Sequence, residues 1–333
     1  MITSARRIIT RRARSAALCA LGAALVGCGA HGVQDAGLPE RPHTGGATAS
    51  PSATPSPYRP PTLAPGPAGL TPVFTNGPRT GGKTVALTFD ADMTADQGPR
   101  AAAGEHFDNP ELIATLRRLK VPATVFMTGR WADEYPEEAR SLGRDPLFEI
   151  ANHSYSHYAF TSDCYGLPTI EPAHIRSDVE RAFTAFRKAG VEHAMPYFRF
   201  PGGCYDDRAL RELTPVGVTA VQWDVVSGDA FATDAHAVAQ QVLDGVRPGS
   251  VVVMHCTRSA APATEEAVRT IVPELRERGF RFVKVSELIG AKAGEAAKAG
   301  DAAKAGKAGQ AEKARRAEKA GQAGGAAQTG SRG

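Results

Sequence analysis

The sequence predicts an α/β domain on parallel strands, open or closed into a barrel, and two observations predict it. Short apolar, β-branched runs alternate with amphipathic helical segments from residue 84 to residue 283, the pattern of repeated β-α units. The polar residues of chemical interest, Asp90, Asp92, His153, His157, Arg199, Asp229 and His255, all follow predicted strands. Ligands of α/β folds gather at the carboxyl ends of strands.

Residues 1–27 read as an export signal. Arg6, Arg7, Arg11, Arg12 and Arg14 precede an apolar run at 16–26, which is short for a membrane span. The run ends in Leu25-Val26-Gly27-Cys28, which resembles the bacterial lipobox, cut before a cysteine that is then lipidated. Cys28 is the expected lipid site; a plain secretory signal with an incidental cysteine is the alternative. Residues 28–80 are rich in Pro, Thr, Ser and Gly and are expected to form a disordered, partly polyproline-like tether.

The folded domain is expected over residues 81–290. Residues 84–89, 123–127, 148–150, 197–200, 219–226, 250–254 and 280–283 read as strands, rich in Val, Ile, Phe and Thr. Between them, residues 110–119, 137–142, 174–189, 210–213, 235–243 and 264–278 have helical spacing; Leu112, Leu116 and Leu119 fall on one stripe, and Ile175, Val179, Ala182 and Phe186 on another. Residues 291–333 are Ala/Gly/Lys/Glu repeats with nothing apolar enough to bury. Ala favours helix and the frequent Gly opposes it, so this tail is expected to be disordered with at most transient helix.

A chain of 333 residues holds one large domain or two small ones. Its formal net charge is only +4, and no Lys/Arg stripe is interleaved with aromatics. Nucleic acid is therefore not an expected partner.

The chemistry centres on His153 and His157. Histidines four apart share one face of a helical turn, so both rings could reach one ion. Ser154 stands where a metalloprotease of the His-Glu-x-x-His type has its glutamate, so that reading lacks a general base. A chance pair of surface histidines is the bland alternative. Asp90 and Asp92 are two apart at a strand end, so in extended chain their side chains point the same way. One could bind a cation and the other serve as base; ordinary turn chemistry is the competing explanation. Asp92, His153 and His157 would make a two-histidine, one-carboxylate set suited to a divalent metal, zinc first.

Five stretches occur in a telling order: Thr88-Phe89-Asp90-Ala91-Asp92, His153-Ser154-Tyr155-Ser156-His157, Arg199-Phe200-Pro201-Gly202-Gly203, Trp223 to Asp229, and Val252-Val253-Met254-His255. Together they resemble the five motifs of the polysaccharide deacetylase (NodB homology, carbohydrate esterase 4) family, over essentially the whole folded part. The resemblance implies a distorted (β/α) barrel and a metal-dependent hydrolase that removes N-acetyl or O-acetyl groups from glycans. It implies Asp90 as base, His153 and His157 as metal ligands, and Arg199 as the residue orienting the base. Gly202 falls at the backbone oxyanion donor, His255 at the general acid, and Asp229 at the carboxylate polarising it. Trp223 and Met254 would line the acetyl pocket, or simply pack in the core.

Two departures stand out. The family's adjacent acid pair is here Asp90-Ala91-Asp92, so the metal is assigned to Asp92; the alternative is that Asp90 binds metal and the usual base is missing. The Asp-Trp pair of the fourth motif is replaced by Asp229-Ala230-Phe231, so the aromatic wall is supplied by Phe231 or absent.

Of the remaining cysteines, Cys164 and Cys204 would lie on loops at one rim, and a disulfide is expected between them; Cys256 is expected to be buried and free. The whole reads as a monomeric, lipid-anchored deacetylase on the outer face of a bacterial cell membrane. Expected substrates are peptidoglycan first, then chitin oligomers or acetylxylan. The competing reading is a non-catalytic glycan-binding lipoprotein that kept the fold.

Overall fold

A parallel sheet that curls until its two ends nearly meet positions every polar residue singled out above. The computed structural model describes residues 59–326. The export signal, Cys28 and the first half of the expected tether lie outside the described residues. In chain order the elements are β1 (Val73–Phe74), β2 (Thr84–Ala91), α1 (Gly98–Ala102), α2 (Pro110–Arg118), β3 (Ala123–Met127), α3 (Gly129–Glu134), α4 (Pro136–Arg144) and β4 (Phe148–Asn152). There follow α5 (Ile175–Ala189), β5 (Tyr197–Phe198), α6 (Asp207–Leu213), β6 (Thr219–Val221), β7 (Val225–Val226), α7 (Ala235–Gly245), β8 (Ser250–His255), α8 (Thr264–Glu277), β9 (Arg281–Phe282) and α9 (Val285–Ala326).

The helices form where the sequence supplies both a stripe and a start. In α2, Pro110 stands at the first position, the Asn109 side chain accepts from the Leu112 N–H, and Leu112, Ile113 and Leu116 are buried. Helix α5 buries Ile175, Val179, Ala182 and Phe186 and stops at Gly190, whose φ of 90° ends the helix.

The strand order is β1-β6-β5-β4-β3-β2-β8-β7, with β9 also on β2, and every pairing is parallel. Residues 219–226, expected as one strand, are two. Strand β6 lies near one end of the sheet and β7 at the other, joined only by Gln222, Trp223 and Asp224. So short a link spans at most ~14 Å, so the sheet must curl to bring its ends together. The result is the distorted barrel expected from the sequence.

Alternation along the strands sorts the core. Val85, Leu87, Phe89 and Ala91 face outward into a core shared with α2, α3, α7 and α8. Ala86, Phe126, Ala151 and Val251 face the inside of the curl, where they meet Val285, Leu288 and Ile289 from the start of α9. Thr88 and Asp90 share that inner face, above Ala86.

The folded part also extends beyond its expected limits. Residues 59–80 are not all tether: β1 pairs with β6, and Tyr197 Oη donates to the Pro61 carbonyl at 2.8 Å. The pattern was missed because a two-residue strand is too short to show alternation. Within the stretch expected to be a disordered tail, residues 291–326 continue α9, and residues 327–333 lie outside the described residues. The start of α9 is fixed by tertiary contacts, with the Ser286 N–H on Glu149 Oε1 and the Val285 N–H on Thr124 Oγ1, and a nucleated helix propagates readily through alanine-rich sequence.

Candidate metal and acid–base site

Register brings the site together before any side chain is considered. Asp90 is level with Phe126 on β3 and with His255 on β8, Met127 is level with Asn152, and Asn152 with Phe198. The carboxyl ends of β2, β3, β4, β5 and β8 therefore form one rim, and Asp90, Asp92, His153, Arg199 and His255 all lie on it.

The Asp-Ala-Asp stretch obeys strand alternation. Ala91 is fully buried in the outer core, while Asp90 and Asp92 both turn to the site. Asp92 Oδ1 lies 3.3 Å from His153 Nε2 and 3.5 Å from His157 Nε2. Asp90 Oδ1 accepts from Arg199 Nη1 at 2.6 Å, and its Oδ2 lies 3.7 Å from His153 Nε2.

The two histidines do not ride on a helical turn. Ser154 and His157 have φ of 68° and 57°, the left-handed region, so the chain makes a tight non-helical turn instead. Asn152 Oδ1 accepts from the Ser154 N–H, Ser154 Oγ accepts from the His157 N–H, and Asp178 Oδ2 accepts from the Tyr155 N–H. The turn still sets the rings 5.0 Å apart. Gly129 makes room for it, since a Cβ there would lie 2.4 Å from the Tyr155 ring.

His153 Nδ1 lies 2.9 Å from the Arg199 carbonyl oxygen. A carbonyl only accepts, so Nδ1 carries a proton, which leaves Nε2, facing Asp92, as the nitrogen that a cation would use. Among the described residues, Asp92, His153 and His157 form a cluster whose ligand atoms all lie within 4.8 Å of one another. Asp92 Oδ1 is buried with no hydrogen-bond partner, an arrangement that is costly unless something else satisfies it. A carboxylate oxygen and two imidazole nitrogens are the donor set of a divalent transition metal, so these residues fit one.

Electrostatics divides the histidines. Burial pushes His157 down to about 4, so its ring is neutral. Burial also opposes charge on His255, but the Asp229 carboxylate outweighs it, with Asp92 and Asp90 adding, and lifts the ring to about 10. Burial likewise opposes charge on Asp92, yet the three surrounding histidines, His157 first, hold it well below the usual carboxylate range.

Asp229 is fully engaged. Its Oδ1 lies 2.8 Å from His255 Nδ1 and accepts from Ser227 Oγ, while Oδ2 accepts from the His255 N–H and from Thr264 Oγ1. His255 Nε2 is thereby turned to the site, 3.9 Å from Asp92 Oδ2. Arg199 is fully buried, its guanidinium 3.9 Å from the Phe126 ring centroid and 5.4 Å from that of Trp223.

Gly202 has a φ of 64°, and a Cβ there would meet Cys164 Sγ at 2.6 Å, so the position demands glycine. Trp223, half-buried, lies against Gly203. Of the two readings of Met254, core packing holds: it alternates with His255, is fully buried, and packs in the outer core level with Phe89. It cannot line a pocket on the inner face; Val253, two residues before His255, shares that face instead. Cys164 and Cys204 are joined by a disulfide, and Cys256 is buried and free. Sequence reasoning missed Asn152, Asp178, Ser227, Thr257 and Thr264: Thr257 Oγ1 accepts from the Asp92 N–H at 3.1 Å, and the others hold the histidine turn and the Asp229 carboxylate. Their types are common in turns, so nothing in the sequence marked them.

The profile of the polysaccharide deacetylase family matches residues 77–221. A chitooligosaccharide deacetylase of Sinorhizobium fredii is 30% identical over 215 residues, covering 60% of this chain and 89% of the relative. The chain belongs to the polysaccharide deacetylase family. A peptidoglycan-N-acetylglucosamine deacetylase of Bacillus cereus is 27% identical over 213 residues, covering 63% of this chain and 90% of that one. Among solved structures, a CE4 family pseudoenzyme from Bacillus anthracis superimposes with a TM-score of 0.54 at 23% identity, covering 68% of this chain and 70% of its own. That likeness concerns the fold alone.

Proposed function

We propose that this chain removes N-acetyl groups from an N-acetylglucosamine-containing polysaccharide, peptidoglycan first and chitin-like oligomers next, with a divalent cation, zinc first, held by Asp92, His153 and His157. The observation that carries the proposal is the buried, partnerless Asp92 Oδ1 facing two imidazole Nε2 atoms beside the Asp90–Arg199 pair. When bound, the cation would polarise the acetyl carbonyl and acidify water.

The chain's own groups supply the rest. Arg199 fixes Asp90 Oδ1, leaving Oδ2 to take a proton from the attacking water. Asp229 keeps His255 charged, so His255 Nε2 can hand a proton to the departing amine, which leaves poorly without one. The Gly202 N–H is the proposed oxyanion donor, and Trp223 and Val253 the apolar wall around the acetyl group.

The altered first motif favours a second reading, a glycan-binding protein without activity. Acetate release from acetylated chitooligosaccharides and from peptidoglycan, with zinc and after chelation, separates the two. Zinc-dependent release supports the deacetylase; glycan binding without release supports the binding protein.

We further infer an exported lipoprotein anchored through Cys28 at the outer face of the cell membrane. The lipobox-like sequence supports it, as does the Cys164–Cys204 disulfide, since such bonds persist in oxidising compartments. Mass analysis of the N-terminus tests it: diacylglycerol on Cys28 is expected, and an unmodified Cys28 in the mature chain would refute it.

A further inference from the structure

Asp92 turns to the site from beyond the end of the strand that carries Asp90. Strand β2 stops at Ala91. At its end the Asp90 carbonyl accepts from the Cys256 N–H at 2.9 Å, and the Ala91 carbonyl from the Thr128 N–H at 3.1 Å. One residue further a side chain takes over from the backbone ladder. Thr257, on the loop after β8, accepts the Asp92 N–H on its Oγ1 at 3.1 Å, and the same hydroxyl donates to the Asp92 carbonyl at 3.5 Å. Thr257 is only 3% exposed, so bulk water does not compete for either bond.

One hydroxyl that reaches both backbone groups of a residue fixes that residue's conformation. A residue's N–H and C=O leave the chain on the same edge when it is extended, whereas in a helix they point opposite ways along the axis. Extended chain also puts side chains two apart on one face. Thr257 therefore carries the period of two one residue past the strand. It keeps Asp92 on the face of Asp90, with Oδ1 3.3 Å from His153 Nε2 and 3.5 Å from His157 Nε2. The separated acids of this chain create the need. An acid at position 91 would point to the outer core, while Asp92 points inward but lies past the ladder, so its direction depends on what holds the chain there.

We propose that Thr257 is a positioning residue for the cation, acting through the Asp92 backbone. This rests on the metal-binding part of the reading above, and it adds a residue outside all five stretches that resemble the family motifs. Support behind a metal ligand is worth about tenfold to a hundredfold in metal affinity. The hydroxyl is separable from the loop's own shape. The Thr257 carbonyl accepts from the Ala260 and Ala261 N–H groups at 3.1 and 2.9 Å, bonds that a change of side chain leaves in place.

The test titrates zinc into the full chain, freed of metal by chelation, in competition with a chromophoric chelator. Thr257→Val is nearly isosteric and Thr257→Ala adds no bulk; both remove the hydroxyl, and Thr257→Ser keeps it. The valine and alanine variants should bind zinc about tenfold to a hundredfold more weakly than wild type, and the serine variant should restore wild-type affinity. Melting of the metal-free proteins is followed alongside, because a merely structural role would lower the melting temperature and leave zinc affinity unmoved. If the valine variant does not fold, the alanine and serine variants decide by the same comparison. Wild-type affinity in a folded valine or alanine variant overturns the proposal, as does a serine variant no better than alanine. A wild-type chain that takes up no zinc refutes the metal reading and this inference with it. The expected zinc series in a chain that releases no acetate leaves the positioning role standing and refutes the deacetylase reading instead.

Discussion

Asp90 Oδ1 and Arg199 Nη1 meet at 2.6 Å in a pocket where neither residue is more than 4% exposed. A buried pair of this kind is destabilising to break from one side, because the remaining charge has no solvent. Arg199→Met is therefore expected to lose about 3–5 kcal/mol of stability, read by urea denaturation. Asp90→Asn keeps an oxygen for Arg199 and should fold, but its kcat should fall about 10²–10⁴-fold. Full activity in the Asn variant would remove Asp90 from the role of base.

Zinc binding should follow the three-residue cluster. Asp92→Ala, His153→Ala and His157→Ala are each expected to lose stoichiometric zinc, read by elemental analysis, together with acetate release. Asp90→Asn and Asp229→Asn are expected to retain the metal. Zinc retained in all three alanine variants would show that the cation sits elsewhere.

The alkaline limb of the pH profile should depend on Asp229. The folded structure raises the His255 pKa to about 10, so the ring keeps its proton below that pH and loses it above. Asp229→Asn removes the main group holding the proton, so the limb should move to lower pH and kcat should fall about 10²-fold or more. An unmoved limb would show that His255 is not the acid.

Glu138 offers a stability test away from the chemistry. Burial, with Asp108 nearby, lifts its carboxyl to about 7, above the ~4.3 of an unfolded chain. Folding therefore favours the protonated form, and stability is lost as pH rises through the interval between those values. Glu138→Gln should melt higher than wild type at pH 8 and no higher at pH 4; equal melting temperatures at both pH values would contradict this.

The Cys164–Cys204 bond closes a loop of 40 residues' separation and holds the loop after His157 against the Pro201–Gly203 turn. Its removal by the Cys164→Ser, Cys204→Ser pair should cost about 2–4 kcal/mol. Because the bond also backs Gly202, acetate release from acetylated chitooligosaccharides should drop with it, measured at a temperature where the variant is folded.

Reading the motifs in order was enough to reach the family, and the strand ends were enough to place the polar residues on one rim. Strand alternation even made sense of Asp90-Ala91-Asp92, because a period of two is a local property of extended chain. Local reasoning failed where the third dimension intervened. The His153–His157 spacing suggested a helical turn, but Asn152 and Asp178 pin a left-handed turn that presents the same two rings. The resemblance left Met254 between pocket lining and core packing, and the same alternation that turns His255 inward turns Met254 out into the core.

What the sequence by itself determined was the order of β-α units, the ligand types and the adjacency of acids and histidines at strand ends, all of which depend on near neighbours in the chain. Only the tertiary structure decided that residues 219–226 break into two strands at opposite ends of the sheet, and that Thr264 and Ser227 complete Asp229. These depend on how far the sheet curls, and curl is a sum over every strand pair that no single stretch encodes.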